Sequence, residues 1–216
     1  MIEVVEVYVG TPQRLGDGPE QVYSAIAKHP VAFESALWLS TGNLAGDAQA
    51  DLSVHGGADK AVYAYPSEHL AGWAVELSEP LGDAAFGENL STRGGIESDV
   101  RIGDVWKWDG ALLQVSQPRW PCFKLALHRK RRDVQSRMRA TGRTGWYLRV
   151  LEPGEVVVGS PIDVVERDPA GLTVADAHLA MSDRHLDDRA RTEALAGLDV
   201  LADDWRIPLQ ERLAAP

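Results

Sequence analysis

Regular helix–strand alternation is missing from the first 165 residues of this chain, which disfavours a doubly wound parallel α/β sheet. The region offers short β-prone runs cut by Gly and Pro instead. Residues 2–9 (IEVVEVYV) are rich in Val and Ile, which suits a pleated, half-buried surface. Residues 105–108 and 111–115 flank Asp109-Gly110 and read as a hairpin, with Asp-Gly supplying the positive φ angles of a tight primed turn. Residues 61–65, 146–151, 155–158 and 161–165 are further strands, the last three separated by Pro-Gly and Gly-Ser. This pattern predicts a mainly β domain over residues 1–165, a barrel or a sandwich.

Two helices interrupt the strands. One covers 67–77, with Leu70, Trp73 and Leu77 at helical spacing and Ser67 as its N-cap. The other runs over 123–140. After Asp168-Pro169-Ala170-Gly171 the composition shifts to Ala, Leu, Asp and Arg. Residues 170–216 read as a three-helix appendage with helices near 173–181, 187–196 and 199–213. Thr173 and Asp176 form a capping box at its start, Gly197 ends the second helix, and Pro208 restarts or kinks the third. Some 45 residues make a poor independent core. The appendage should pack on the main domain or on a second subunit, so a homodimer is one expectation, and a stabilising cap is its plainest role.

The chain has one cysteine, Cys122, among 216 residues, which excludes an intramolecular disulfide, a four-cysteine zinc site and a cysteine-held iron–sulfur cluster. The net charge of −10 speaks against nucleic acid as a whole-surface partner. No apolar run approaches a membrane span, and Glu3 stands where a secretory signal carries positive charge, so a cytoplasmic location is expected. Charge is uneven, however. Between Arg119 and Arg149 lie 10 Lys or Arg and a single acid, Asp133. The run His128-Arg129-Lys130-Arg131-Arg132 is either a solvated helix face or a docking face for an anionic cofactor or an acidic redox partner.

The densest chemical signal is QPRWPCFKL, residues 117–125. Pro121 fits the first position of a helix, which places Cys122 in the first turn, where the backbone and the nearby Arg119 and Lys124 favour a thiolate. A thiolate attacks electrophiles or ligates soft metals; a small buried hydrophobe is the plainer fate of a free cysteine. A second cluster, QADLSVHGGADK (49–60), pairs a glycine turn with Lys60 and reads as an anion cradle, with His55 as proton donor or structural residue and Asp47 and Asp51 as weak cation candidates. It lacks the Walker spacing. A third, FGENL (86–90), presents Asn89 either to a ligand or to its own turn.

Taken in order, QADLSVHGGADKAVYAYPSEH, FGENL, QPRWPCFKL and TGRTGWYLRVL resemble the bacterial MOSC-domain proteins, named for the molybdenum cofactor sulfurase C-terminal domain, and within them the YiiM-like subfamily with its three-helix extension. The resemblance spans nearly the whole chain. It implies a β-barrel of the pyruvate-kinase barrel type, with Cys122 as the protein ligand to molybdenum in a pyranopterin cofactor. At the level of the superfamily alone, it also brings pyridoxal phosphate binding. Lys60, Asn89, Arg119 and Glu34 become cofactor-pocket residues, and Cys122 and His55 the catalytic pair, with His55 as proton relay. The implied activity is reduction of N-hydroxylated compounds, such as 6-N-hydroxylaminopurine-type base analogues, to amines, in detoxification of such bases. No NAD, flavin or iron–sulfur motif is present, so a separate reductase, a flavoprotein, is expected to supply electrons. Ala25 stands where relatives commonly carry Gly, and small Ala27 where they often carry a bulkier residue. The alternatives are a cofactor or sulfur carrier that uses Cys122 without redox turnover, and a metal-free thiol enzyme using Cys122 and His55.

Overall fold

The computed structural model describes residues 1–17, 21–50 and 56–215. Strands dominate as far as residue 166: β1 (Glu3–Val9), β2 (Gln13–Leu15), β3 (Val22–Ser24), β4 (His29–Pro30), β5 (Ala36–Leu39), β6 (Val62–Pro66), β7 (Leu90–Arg93), β8 (Val105–Trp108), β9 (Ala111–Pro118), β10 (Trp146–Glu152), β11 (Gly154–Val157) and β12 (Asp163–Glu166). Eight form one sheet in the order β12-β8-β9-β10-β6-β7-β1-β4, and β5 pairs with β11 and β2 with β3. Every pairing is antiparallel except β6 with β7. Register shifts in β1, β10 and β12 let the sheet curl. Ile2 and Ile162 exchange backbone hydrogen bonds of 2.7 and 2.8 Å, drawing strands from opposite ends of the sheet toward each other. The result is the mainly β, barrel-like architecture expected of the sequence.

Trp106, Trp108, Trp146, Leu113, Val62 and Leu90 fill the inside of the curl. Alternation along β8 and β9 puts Trp106, Trp108 and Leu113 there, since successive side chains point to opposite faces. The same apolar cluster continues into Val174, Leu195, Trp205 and Leu209 of the C-terminal helices. The appendage therefore shares the core of the barrel instead of building its own, one of the two packings anticipated for so short a segment.

The helices are α1 (Leu70–Leu77), α2 (Phe123–His128), α3 (Val134–Thr141), α4 (Val174–Ser182), α5 (Arg189–Ala196) and α6 (Asp203–Ala214). The capping box holds: the Thr173 hydroxyl accepts from Asp176 N–H at 3.0 Å, and the Asp176 carboxylate accepts from Thr173 N–H at 2.9 Å. Gly197 follows α5 as its C-cap, and α6 continues through Pro208.

Three local expectations fail for physical reasons. Ser67 does not cap α1; it opens a short 3-10 turn, Ser67–His69, with its hydroxyl buried and unbonded. The single helix over 123–140 is two helices, because the chain turns at Lys130, φ 51°. Like charges three and four apart repel on a helix, and the turn lets Arg129 reach Glu79 and Arg131 reach Asp133 instead. In the β8–β9 hairpin only Asp109 has positive φ, 47°. Gly110 serves a close approach instead, since a Cβ there would lie 3.0 Å from the Glu155 carbonyl oxygen.

Candidate active site

β9 runs into Gln117-Pro118 and then into the segment that presents the thiol. The segment is pinned on both sides. Arg119 N–H donates to the Gly145 carbonyl at 3.1 Å, and the Pro121 carbonyl accepts from Gln135 at 2.9 Å and from Arg139 at 2.6 Å. Gly145 has φ 65°, and a Cβ there would sit 2.4 Å from the Ala64 carbonyl oxygen, so only glycine lets these strands approach. Cys122 is the N-cap of α2, in extended conformation, and Pro121 precedes it. The thiol thus lies one position outside the first turn where it was expected. With only six residues in α2, its charge environment comes from side chains: Arg119 and Arg139 both interact electrostatically with it.

Cys122 opens onto a cleft that also takes in Lys28, Lys60, Asn89, Arg119 and Lys124, with Tyr63 and Tyr147 as aromatic walls. Three of the expected pocket residues, Lys60, Asn89 and Arg119, are therefore gathered around the cysteine. Asn89 plays a structural part in it. Its amide group donates to the Tyr8 carbonyl at 3.2 Å and to Asp47 at 3.0 Å, and its oxygen accepts from Tyr63 N–H at 3.1 Å. Both amide protons are committed, so Asn89 shapes the cleft by tying β1, β6 and Asp47 together. Glu34 is not brought to the cleft: it sits exposed in the turn before β5, φ 62°, with its N–H on the Val158 carbonyl. His55 and Asp51 lie outside the described residues. The Asp47 carboxylate is buried against Lys28 and Gly10 N–H.

Two charged residues, Lys28 in the cleft and Glu88 behind it, carried no local signal. Lys28 is nearly buried beside Asp47, and burial lowers its pKa while Asp47 pulls it back up. Glu88, inside the FGENL turn, is fully buried; burial raises its pKa, against Phe86 N–H, Arg119 and Lys28, which favour the carboxylate. For Arg119, burial works against the charge, but the neighbouring Tyr63, Tyr147, Cys122 and Glu88 more than offset it and hold its pKa above the usual value. Its guanidinium also lies 4.9 Å from the centre of the Tyr63 ring. Gly87, φ 81°, lets Ile26 close over this floor, since a Cβ would meet Ile26 at 2.5 Å.

Trp120 turns to the other side, toward the helices. Its ring lies 5.6 Å from His178 of α4 and 5.8 Å from Trp205 of α6, with the Arg139 guanidinium 4.8 Å from its centre. Lys60 pairs with Asp204 of α6. The appendage thus reaches the same thiol-bearing segment.

The MOSC domain model matches residues 51–163, slightly more than half of the chain. The chain belongs to the MOSC-domain family. Protein YiiM of Escherichia coli is 40% identical over 216 residues, covering 96% of this chain and 91% of that protein. The crystal structure of YiiM from Geobacillus stearothermophilus superposes with a TM-score of 0.82 at 33% identity, over 99% of this chain and 100% of that one. A protein named Reductase from Gibberella moniliformis is 33% identical over 196 residues, which span 88% of this chain but 32% of that longer protein. No helix among the described residues is long and apolar enough to cross a membrane.

Proposed function

We propose that this protein is a molybdenum-dependent reductase that converts N-hydroxylated compounds to amines, drawing electrons from a separate flavoprotein. The observation that carries the reading is the placement of the chain's single thiol in a cleft walled by Lys28, Lys60, Arg119 and Lys124. That donor set fits a soft metal carried by an anionic, phosphate-bearing pterin: one thiolate for the metal, cations for the phosphate. Among the described residues no three His, Cys, Asp or Glu side chains gather as a metal cluster. The metal would thus be held by Cys122 together with the donors the cofactor brings. Membership of the MOSC family and likeness to a protein named Reductase support the same reading.

When bound, the cofactor supplies two-electron redox chemistry at an oxygen-accepting metal. Overall, an N–OH group, two electrons and two protons yield an N–H group and water. The chain's own residues position and charge the site. Cys122 anchors the metal, with Arg119 and Arg139 favouring its thiolate. Lys60 and Lys124, on the cleft wall, bind the anionic part of the cofactor. His55 is the proposed proton relay, histidine being the side chain type whose protonation suits transfer near neutrality. The basic run 128–132 lies directly after the thiol-bearing segment and is the proposed docking face for an acidic electron donor.

The test is turnover of 6-N-hydroxylaminopurine by cofactor-loaded protein with a chemical electron donor. Formation of adenine is expected; loaded protein that leaves the N–OH group intact would overturn the assignment.

A further inference from the structure

On the far side of α2 from the cleft, a groove of about 990 Å³ separates that helix from the β2–β3 hairpin. Phe123, Ala126 and Leu127 stand three and four residues apart on α2, so they share the face that looks into it. Leu15 and Val22, opposite each other across β2 and β3, form the facing apolar wall. Phe123 is 54% exposed and directly follows the thiol, whereas Lys124, next along, lines the cleft. The first turn of α2 is thus the partition between the thiol and the groove.

The charge around this apolar floor is not that of the basic run as a whole. Of the ten Lys or Arg between Arg119 and Arg149, five are neutralised within the chain: Arg129 by Glu79, Arg131 and Arg137 by Asp133, Arg143 by Glu76 and Arg149 by Asp59. Lys130 and Arg132 are exposed and, among the described residues, have no acidic partner. Both line the groove, and Arg14, likewise exposed and without an acid, faces them from β2. Asp17 is the one acid among the described residues of its wall.

We propose that this groove, with Arg14, Lys130 and Arg132 as its cationic rim and Phe123 at its centre, is the docking site of an acidic flavin-bearing electron donor. The donor's identity rests on the reductase reading; the existence of an acid-seeking surface does not. A flavin presents an apolar dimethylbenzene edge, which matches the floor, and carboxylates around that edge match the rim. Electron-transfer complexes are small, weak and steered by charge, as a groove of this size with three unneutralised cations requires. A reduced flavin gives up two electrons and two protons, the number consumed when an N–OH group becomes N–H and water. Arg129 and Arg131, held by acids of the chain itself, support the fold of the groove instead of recognising the partner.

The experiment measures binding of flavodoxin, a small acidic FMN protein, to the full-length chain without cofactor, by calorimetry and by carbodiimide cross-linking. Saturable binding is expected at about 10 mM salt and its loss at about 200 mM, where screening is strong. Arg14→Glu, Lys130→Glu and Arg132→Glu combined should weaken it at least about tenfold. Lys107→Glu, the same kind of charge reversal on the exposed face of β8, should leave affinity within about twofold. Phe123→Ser should weaken binding with its salt dependence unchanged. No saturable binding at low salt, or a triple variant that binds no worse than Lys107→Glu, would overturn the docking site. Turnover with a chemical electron donor but no flavodoxin binding would overturn the docking site alone; groove-dependent binding by a protein that reduces nothing even when loaded would uphold the surface and overturn the reductase reading.

Discussion

Lys60 of the barrel and Asp204 of α6 form an ion pair although 144 residues separate them in the chain. The pair fastens the helical appendage at the mouth of the thiol-bearing cleft. Asp204 is 63% exposed, so solvent screens much of the attraction. Asp204→Ala is therefore expected to remove no more than about 1 kcal/mol, a fall in Tm of about 2–4 °C for a chain of this size. Thermal unfolding at low and high salt checks this, and the difference should shrink in high salt.

Asp47 presents a harsher case. It accepts from Gly10 N–H and from Asn89, and it neutralises Lys28, all in buried surroundings. Asp47→Ala strands Lys28 and two further donors. The expected destabilisation is about 3–5 kcal/mol, read as a lower denaturant midpoint with an unchanged slope. Asp47→Asn, which keeps acceptors but not the charge, should fall between wild type and Asp47→Ala.

His178 makes the seam between barrel and helices sensitive to acid. Burial lowers its pKa, and its Nε2–H donates to the Arg139 carbonyl at 2.8 Å while Nδ1 is buried without a partner. The neutral ring is therefore the folded form. An unfolded chain takes up the proton near pH 6.5, before the folded chain does, so the unfolded state binds more protons below that pH. Stability is expected to be intact above about pH 6.5 and to fall as the pH drops toward the lowered pKa of the folded form. Comparing unfolding at pH 7.5 and 5.5 in wild type and His178→Gln measures it. The variant should lose part of the pH dependence.

Local patterns in the chain made much of this visible, and distant pairings made the rest invisible. The Val- and Trp-rich runs could be placed because alternation records which face is buried. The Thr173–Asp176 box could be read because both halves lie within one turn of helix. The surroundings of Cys122 were legible in the same way, since Arg119 and Lys124 stand beside it in sequence. Lys28 and Glu88 were not, because what makes them part of the site is burial against residues far along the chain. The break at Lys130 follows from a competition between helix propensity and the acids that Arg129 and Arg131 reach, and one of those acids, Glu79, lies on a different segment.

Molybdenum content bears most directly on the central claim, that Cys122 anchors a metal cofactor in the cationic cleft. Protein purified from cells able to make the cofactor should carry close to one molybdenum per chain, and Cys122→Ser, with its fold intact, should carry essentially none. Metal-free wild-type protein bearing a persulfide on Cys122, or a Cys122→Ser variant that retains its molybdenum, would contradict it.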